Sequence, residues 1–415
     1  MTSALDGIRR KIQSKYEKLG FDKEKDTIVQ IGVPLKKAGH TFSLGSPSLD
    51  FMTYNSIPEG IFIEITGAEG SGKTTLAFKM AADFIKKEKE KPEEERRHIM
   101  FVDAEGTADP VWAKQSSGYD MNDTEIETLY DTPLGQSAEQ IFDDVREAVS
   151  TGRIGLVIFD SLTAIAPQQT NEESMEKKDM GGLSKVLADF VKRTTGLLNR
   201  YKTTFIGING LIMNIGGYGN PETTPGGTYW RRACSLRLKA KKGEFFDEDG
   251  NKLTSSAESP AGHVIEVALL KTKFCRWDRK LGRCHLNYHK GIDILQDTIE
   301  LATNFNIIQS PKQGTFVLTN PDTGEILTDS EGKEISIRGK NNVKPYFEEN
   351  LDLWKSVYNK VYELLSQQDN SNIVSYEKML GIDDINNYLG VNFAAESDET
   401  AALNNDLLGL NNDNQ

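Results

Sequence analysis

Apolar residues fall along this chain in two rhythms. Leu5, Ile8, Ile12, Tyr16 and Leu19 recur every three or four positions, which predicts an amphipathic helix carrying Arg9, Arg10, Lys11 and Lys15 on its other face. A charged linker at 22–26 follows, and 27–35 reads as a lone strand. Residues 42–52 lead into an apolar, β-branched run that begins at Ile61, and from there short apolar runs alternate with helical patterns. The spacing predicts a helix over 74–86 and strands over 98–103, 155–161, 203–209, 235–241 and 264–272. Such alternation predicts an α/β fold with a largely parallel sheet covered on both faces, its chemistry at strand ends. The charge run at 88–97 (EKEKPEEERR) reads as a solvated helix end and loop. Beyond Lys290 the rhythm changes: 297–305 is helical, 314–337 with the turn NPDTG reads as strands and hairpin turns, and 351–365 is a second amphipathic helix. Residues 366–415 are polar, rich in Asn and Asp and poor in aromatics, the composition of a disordered tail with room for a short helix over 374–389.

Composition adds size and compartment. At 415 residues the chain exceeds what one hydrophobic core usually organises, so a large core with smaller attachments is expected. A hydrophobic fraction of 37% and a charged fraction of 27% describe a soluble chain, and no apolar run approaches a membrane span. Charges interrupt residues 1–25 throughout, unlike a secretory signal. Cys234, Cys275 and Cys284 are too few for a disulfide framework and suit a reducing cytoplasm. The net charge of −13 argues at first against a nucleic-acid partner, yet more than half of it lies in the seven acids after Lys378, where no Lys or Arg occurs. A nucleic-acid site would then be a local basic groove within an assembly.

The run from Ile61 changes the picture most. It ends in Gly67-Ala68-Glu69-Gly70-Ser71-Gly72-Lys73-Thr74, followed by Thr75, which fits the phosphate-loop pattern at every fixed position, between a strand and a helix. A loop that wraps a triphosphate turns its N–H groups inward, which needs glycine where φ is positive or a Cβ would intrude. Lys73 supplies a charge at the β/γ oxygens, Thr74 gives a hydroxyl to Mg²⁺, and the following helix adds its dipole. The strand LVIFD closes on Asp160, as a carboxylate holding Mg²⁺ through its water shell requires. Glu105, just past another strand, is placed to orient or deprotonate the water that attacks the γ-phosphate, although on spacing alone it reads equally as an exposed loop acid.

GAEGSGKTT (67–75), DAEGTADP (103–110), LVIFDSLTAI (156–165) and GNPETTPGG (219–227), in this order and spacing, resemble the bacterial RecA recombinases and more loosely their phage relatives. The resemblance runs from about Phe42 through Leu365, and GNPETTPGG is its most specific part. It implies a RecA-type ATPase core at 41–290 after a helix-strand oligomerisation arm at 1–40. A small α+β carboxy-terminal domain at 291–366 would be a gateway for duplex DNA, and an acidic tail occupies 367–415. By the same resemblance Glu105 activates the hydrolytic water, and Asp109 and Trp112 hold the adenine. Lys271 and Lys273 reach across a filament interface to the neighbouring protomer's γ-phosphate; without the resemblance they read as a solvated strand face. Two loops would line the filament axis. The first, 170–183, carries Met180 as a wedge between base steps beside Gly181, with Arg193 on the next helix as a phosphate contact. In the second, Ile215 is the other wedge and Gly226 and Gly227 open backbone N–H groups to a phosphate. Lys312, Arg338 and Lys340 would contact duplex phosphates.

The chain departs from the family in places. The family's γ-phosphate-sensing glutamine aligns with Gly210, basic positions become Ile212 and Asn214, the second loop is one residue short, and an interface phenylalanine aligns with Arg232. Lys177, Lys178, Lys185 and Arg231 are candidate compensating charges. The resulting expectation is a cytoplasmic, ATP- and Mg²⁺-dependent recombinase that forms filaments on single-stranded DNA and exchanges strands with homologous duplex. Its expected partners include a single-strand-binding protein and a loader or mediator, and no membrane. Two other classes stay open: a RecA-fold ring motor such as a hexameric helicase, and a non-catalytic ATP-switched mediator, which Gly210 keeps in view.

Overall fold

The computed structural model describes residues 10–12, 14–15, 41–168, 182–213, 222–248, 250–329 and 331–367. Residues 10–12 and 14–15 are helical, inside the stretch whose spacing predicts the first helix; the strand expected at 27–35 and the segment beyond 367 lie outside the described residues. A short helix α1 (Pro47–Met52) precedes β1 (Phe62–Gly67), and the chain continues through α2 (Lys73–Lys89), β2 (His98–Asp103), α3 (Pro110–Ser117), β3 (Thr128–Asp131), α4 (Ala138–Ser150), β4 (Ile154–Asp160), α5 (Gly182–Tyr201) and β5 (Thr204–Asn209). A two-stranded pair, β6 (Ile212–Met213) with β7 (Glu222–Thr223), leads to α6 (Gly227–Ala233). Strands β8 (Leu236–Phe246), β9 (Lys252–Leu253), β10 (Gly262–Thr272), β11 (Leu281–Asn287) and β12 (Gly291–Ile292) follow. Helix starts are set locally. Asp109 caps α3 ahead of Pro110, and Ser137 and Gln140 close a reciprocal capping box on α4.

One sheet runs β12-β11-β10-β8-β1-β5-β4-β2-β3, with β9 beside β8. From β8 to β3 every neighbouring pair is parallel. Alternate residues of the central strands serve opposite cores: Ile63, Ile65, Phe101 and Ile158 pack with Leu76 and Phe78 of α2, whereas Phe62, Val102, Phe159 and Phe205 pack with Phe142 of α4 and Phe190 of α5. Burial on both faces is why these strands read as continuous apolar runs. The sequence pattern placed 264–272 in the same alternation, but β10 runs antiparallel to β8 and to β11. Among its described residues the connection from β8 to β10 holds only β9 and no crossover helix, so the chain returns as a hairpin.

The charge run at 88–97 is not wholly solvated. Glu88 is fully buried at the end of α2, where it accepts from the Arg97 guanidinium at 2.5 Å and from the Arg97 backbone N–H at 2.9 Å. Arg97 also bonds Glu59 at 3.0 Å. Burial opposes the charged Glu88, but hydrogen bonds and charge from Arg97 outweigh it and hold its carboxyl below the usual range. Glu93 to Glu95 between them are exposed.

A third core gathers α7 (Ile294–Asn304), β13 (Ile308–Lys312), β14 (Thr315–Leu318), β15 (Ser336–Arg338), α8 (Val343–Glu349) and α9 (Leu351–Gln367) around Leu301, Leu318, Phe347 and Val361. It docks on α1: the Tyr362 hydroxyl donates to Asp50 at 2.9 Å, Ser46 donates to Asp297 at 2.8 Å, and Phe305 meets Phe51 edge-on at 5.7 Å. Asp50 is fully buried, and burial pushes its carboxyl up to about 6.

Candidate nucleotide site and its connection to the second loop

The phosphate loop leaves β1 at Gly67, where a Cβ would run into the Ala240 carbonyl of β8 and lie 2.6 Å from Ser71 Oγ. Gly70 and Gly72 turn the loop with φ of 66° and 85°, and a Cβ at Gly72 would fall against Ile265. These glycines are demanded by curvature and by contact with the sheet before any ligand is considered. Residues 68–70 are exposed, and Ala68 O accepts from Ser71 Oγ at 2.7 Å and from Lys73 Nζ at 2.9 Å. Gly72 caps α2 without a side-chain hydrogen bond, so the first N–H groups of this 17-residue helix carry their positive partial charge toward the loop. Burial lowers the Lys73 ammonium, against the pull of Asp160, Glu105 and Glu69.

Strands β2 and β4 pair Asp103 with Asp160, which brings their carboxyl ends side by side. Thr74 Oγ1 donates to Asp160 Oδ2 at 2.6 Å. Burial raises the Asp160 carboxyl to about 6, with Glu105 and Asp103 adding to the rise and Thr74 and Lys73 opposing it. Among the described residues no group of three His, Cys, Asp or Glu could hold a metal alone. The Thr74 and Asp160 oxygens fit the protein's share of a Mg²⁺ site whose other ligands are phosphates and waters.

Glu105 is exposed, and its Oε1 accepts from Ser161 Oγ at 2.5 Å. The loop that presents it is built by Asp103, whose carboxylate accepts the N–H groups of Gly106 at 2.8 Å, Thr107 at 3.2 Å and Ala108 at 3.0 Å, and the Tyr130 hydroxyl at 2.5 Å. Sequence reasoning missed Asp103 and Ser161; an Asp three residues ahead of a glycine was the available signal for the first. Asp109 spends one oxygen on the Val111 N–H at 2.8 Å as the α3 cap, and Trp112 is half-buried against the first core.

On β1 the fully buried Glu64 joins three elements, accepting from Asn209 Nδ2 at the end of β5 at 2.9 Å, from Trp230 Nε1 at 2.8 Å and from Arg237 Nε at 2.5 Å. Asn209 also donates to Pro225 O at 3.0 Å, which ties the returning limb of the second loop to the sheet. Gly226 and Gly227 have φ of 96° and 74°, and a Cβ at either would lie 2.9 Å from Leu187 or 2.8 Å from Ser184, so close contact with α5 already requires glycine there. The structure separates the two strand-end lysines. Lys271 Nζ donates to the carbonyls of Arg231 and Arg232, both at 2.8 Å, closing the C-terminal end of α6, whereas Lys273 is exposed just past β10.

A family model of the RecA N-terminal domain matches residues 10–293. The chain belongs to the RecA family. It is similar to Protein RecA of Chlorobium chlorochromatii, 31% identical over 347 residues that cover 82% of this chain and 87% of the relative. Protein RecA of Mycoplasma mobile is 28% identical over 376 residues, covering 90% of this chain and 100% of the relative. Among solved structures it is similar to a crystal structure of the RadB recombinase, with 18% identity, a TM-score of 0.42 and coverage of 60% of this chain and 98% of that one.

For this RecA-family chain the expected DNA contacts are only partly described. Arg193 is exposed on α5. Lys312 pairs with Thr315 and Thr315 with Arg338, so Lys312 and Arg338 share one end of the small sheet and Lys340 follows directly. Met180, Gly181 and Ile215, with Lys177, Lys178 and Asn214, lie outside the described residues. No helix among the described residues is long and apolar enough to cross a membrane.

Proposed function

We propose that this RecA-family chain, an ATP-dependent recombinase of DNA recombination and repair, polymerises on single-stranded DNA as a helical filament, pairs that strand with homologous duplex, and hydrolyses ATP to release it. The observation that carries this reading is the convergence of the phosphate loop, the Thr74–Asp160 pair and Glu105 at the carboxyl ends of β1, β4 and β2. The loop N–H groups and Lys73 bind the triphosphate. Thr74 and Asp160 would hold Mg²⁺, which when bound neutralises phosphate charge. Glu105 orients the attacking water and takes its proton, with Ser161 fixing the carboxylate. Lys271 and Lys273 of an adjoining protomer stabilise charge on the γ-phosphate, so the site is complete only between stacked copies. Asp109 and Trp112 hold the adenine. Met180 and Ile215 separate base steps, Arg193, Gly226 and Gly227 contact phosphates of the bound strand, and Lys312, Arg338 and Lys340 receive the duplex. Electron microscopy with an ATP analogue and single-stranded DNA tests the assembly: helical filaments are expected, and closed hexamers would replace this reading with a ring motor.

A further inference from the structure

The Ser161 hydroxyl has one proton, and an ionised carboxylate can only accept. The 2.5 Å contact from Ser161 Oγ to Glu105 Oε1 therefore consumes that proton. Ser161 Oγ also lies 2.7 Å from Thr163 Oγ1, and in this contact Thr163 must be the donor. The direction of the chain is fixed: Thr163 to Ser161 to Glu105. The backbone beneath it is fixed too, because Leu162 N bonds Ile208 O at 2.9 Å and Ala164 N bonds Ser161 O at 3.1 Å. On its other side the Thr163 side chain stands next to Gly210, the first residue after β5; a Cβ built on Gly210 would rest 3.5 Å from Thr163 Cγ2 and 3.7 Å from Oγ1. Thr163 is itself exposed, so no core packing accounts for its hydroxyl.

We propose that Thr163 is a positioning residue for ATP hydrolysis, holding the Ser161 hydroxyl in the orientation that fixes Glu105. The inference rests on the reading of Glu105 as the group that takes the proton of the attacking water. With Thr163 donating, the Ser161 oxygen is satisfied on its acceptor side and its proton has a single favourable direction, toward Glu105. Without that donor the Ser161 hydroxyl can rotate, and Glu105 loses the contact that holds it near the attacking water. The carboxylate remains present but is less often in the reactive geometry, which lowers turnover and leaves ATP binding untouched.

The test uses the full chain with single-stranded DNA. Thr163→Val keeps the shape and removes the hydroxyl; Thr163→Ser keeps the hydroxyl and removes the methyl. For Thr163→Val, kcat of DNA-stimulated hydrolysis should fall roughly tenfold, with KM for ATP and affinity for a fluorescent ATP analogue within about twofold of the parent. Thr163→Ser should stay within about twofold of the parent in both. An unchanged kcat in Thr163→Val, a rise in KM that accounts for the loss, or an equal loss in Thr163→Ser would each overturn the proposal. Glu105→Gln separates the two levels. If it hydrolyses ATP at the parental rate, the reading of Glu105 is wrong; if it is inactive while Thr163→Val is not, only the role of Thr163 is wrong.

Discussion

At the scale of single residues, the nucleotide site is assembled partly from local patterns and partly from contacts made between strands. The phosphate loop and the acid closing β4 announce themselves because each is a short local pattern, and the structure joins them through the 2.6 Å Thr74–Asp160 contact. Ser161 escaped notice because its contact with Glu105 is set by the pairing of β2 with β4, which no local pattern encodes, whereas the partners of Asp103 are mostly the N–H groups three to five residues on, a local signal that went unread. Lys73→Ala should abolish binding of a fluorescent ATP analogue, since the loop loses its one charged phosphate ligand, while Glu105→Gln should retain binding and lose hydrolysis. Equal loss of affinity in both variants would remove Glu105 from a chemical role.

At the scale of elements, the parallel half of the sheet followed from the alternation of apolar runs and helices. The antiparallel half did not, because a hairpin and a crossover differ in the connection and not in the strand. Burial of Glu88 was equally hidden, since a charge run gives no sign of which acid meets Arg97. Glu88→Ala should destabilise the protein by about 3 kcal/mol in thermal or denaturant unfolding, because Arg97 loses its nearest counter-charge in a buried place. Glu93→Ala, on the same run but exposed, should change stability by less than about 0.5 kcal/mol, and a larger effect there would mean that the whole run is structural. The α6 cap makes Lys271 the more constrained of the strand-end lysines. If both act on a neighbour's nucleotide, a Lys271/Lys273 double Ala variant and Glu105→Gln are each inactive alone, yet mixed filaments contain some intact interfaces. ATPase activity should partly return in mixtures shown independently to co-polymerise, and activity that stays at the level of the separate variants would sink the shared site.

At the scale of the whole molecule, α9 is fastened to α1 by the Tyr362 hydroxyl on the buried Asp50. The folded carboxyl titrates at about 6 against an ordinary value of 3.8, so the folded state holds its proton more tightly than the unfolded chain does. This group's contribution to stability is therefore greatest at low pH, declines as pH rises from about 4 to 6, and is level above that. Tyr362 donates to the charged form. Tyr362→Phe should accordingly lower the unfolding free energy by about 2 kcal/mol at pH 8 and by less at pH 5, and an equal loss at both would mean that packing alone is affected.

The position of β1 has a consequence for the order in which the protein comes into being. Its two neighbours in the sheet are β5 and β8, with Phe62 beside Phe205 and Ile63 beside Leu236. During synthesis the phosphate loop thus emerges long before either flank of its own strand exists: the apolar β1 has no partner until the ribosome has passed Asn209, and lacks its second until it has passed Ala240. Long-range pairing of this kind makes folding slow and leaves hydrophobic strands open to wrong partners in the interval. The nucleotide cannot guide the early chain, because the strand that leads into its cradle has no partner in the sheet until β5 has been made. A chain stopped after Asn209 should fail to bind the fluorescent ATP analogue, whereas one stopped after Gln367 should bind it; binding by the shorter chain would show that the loop can form on fewer strands than the finished sheet supplies.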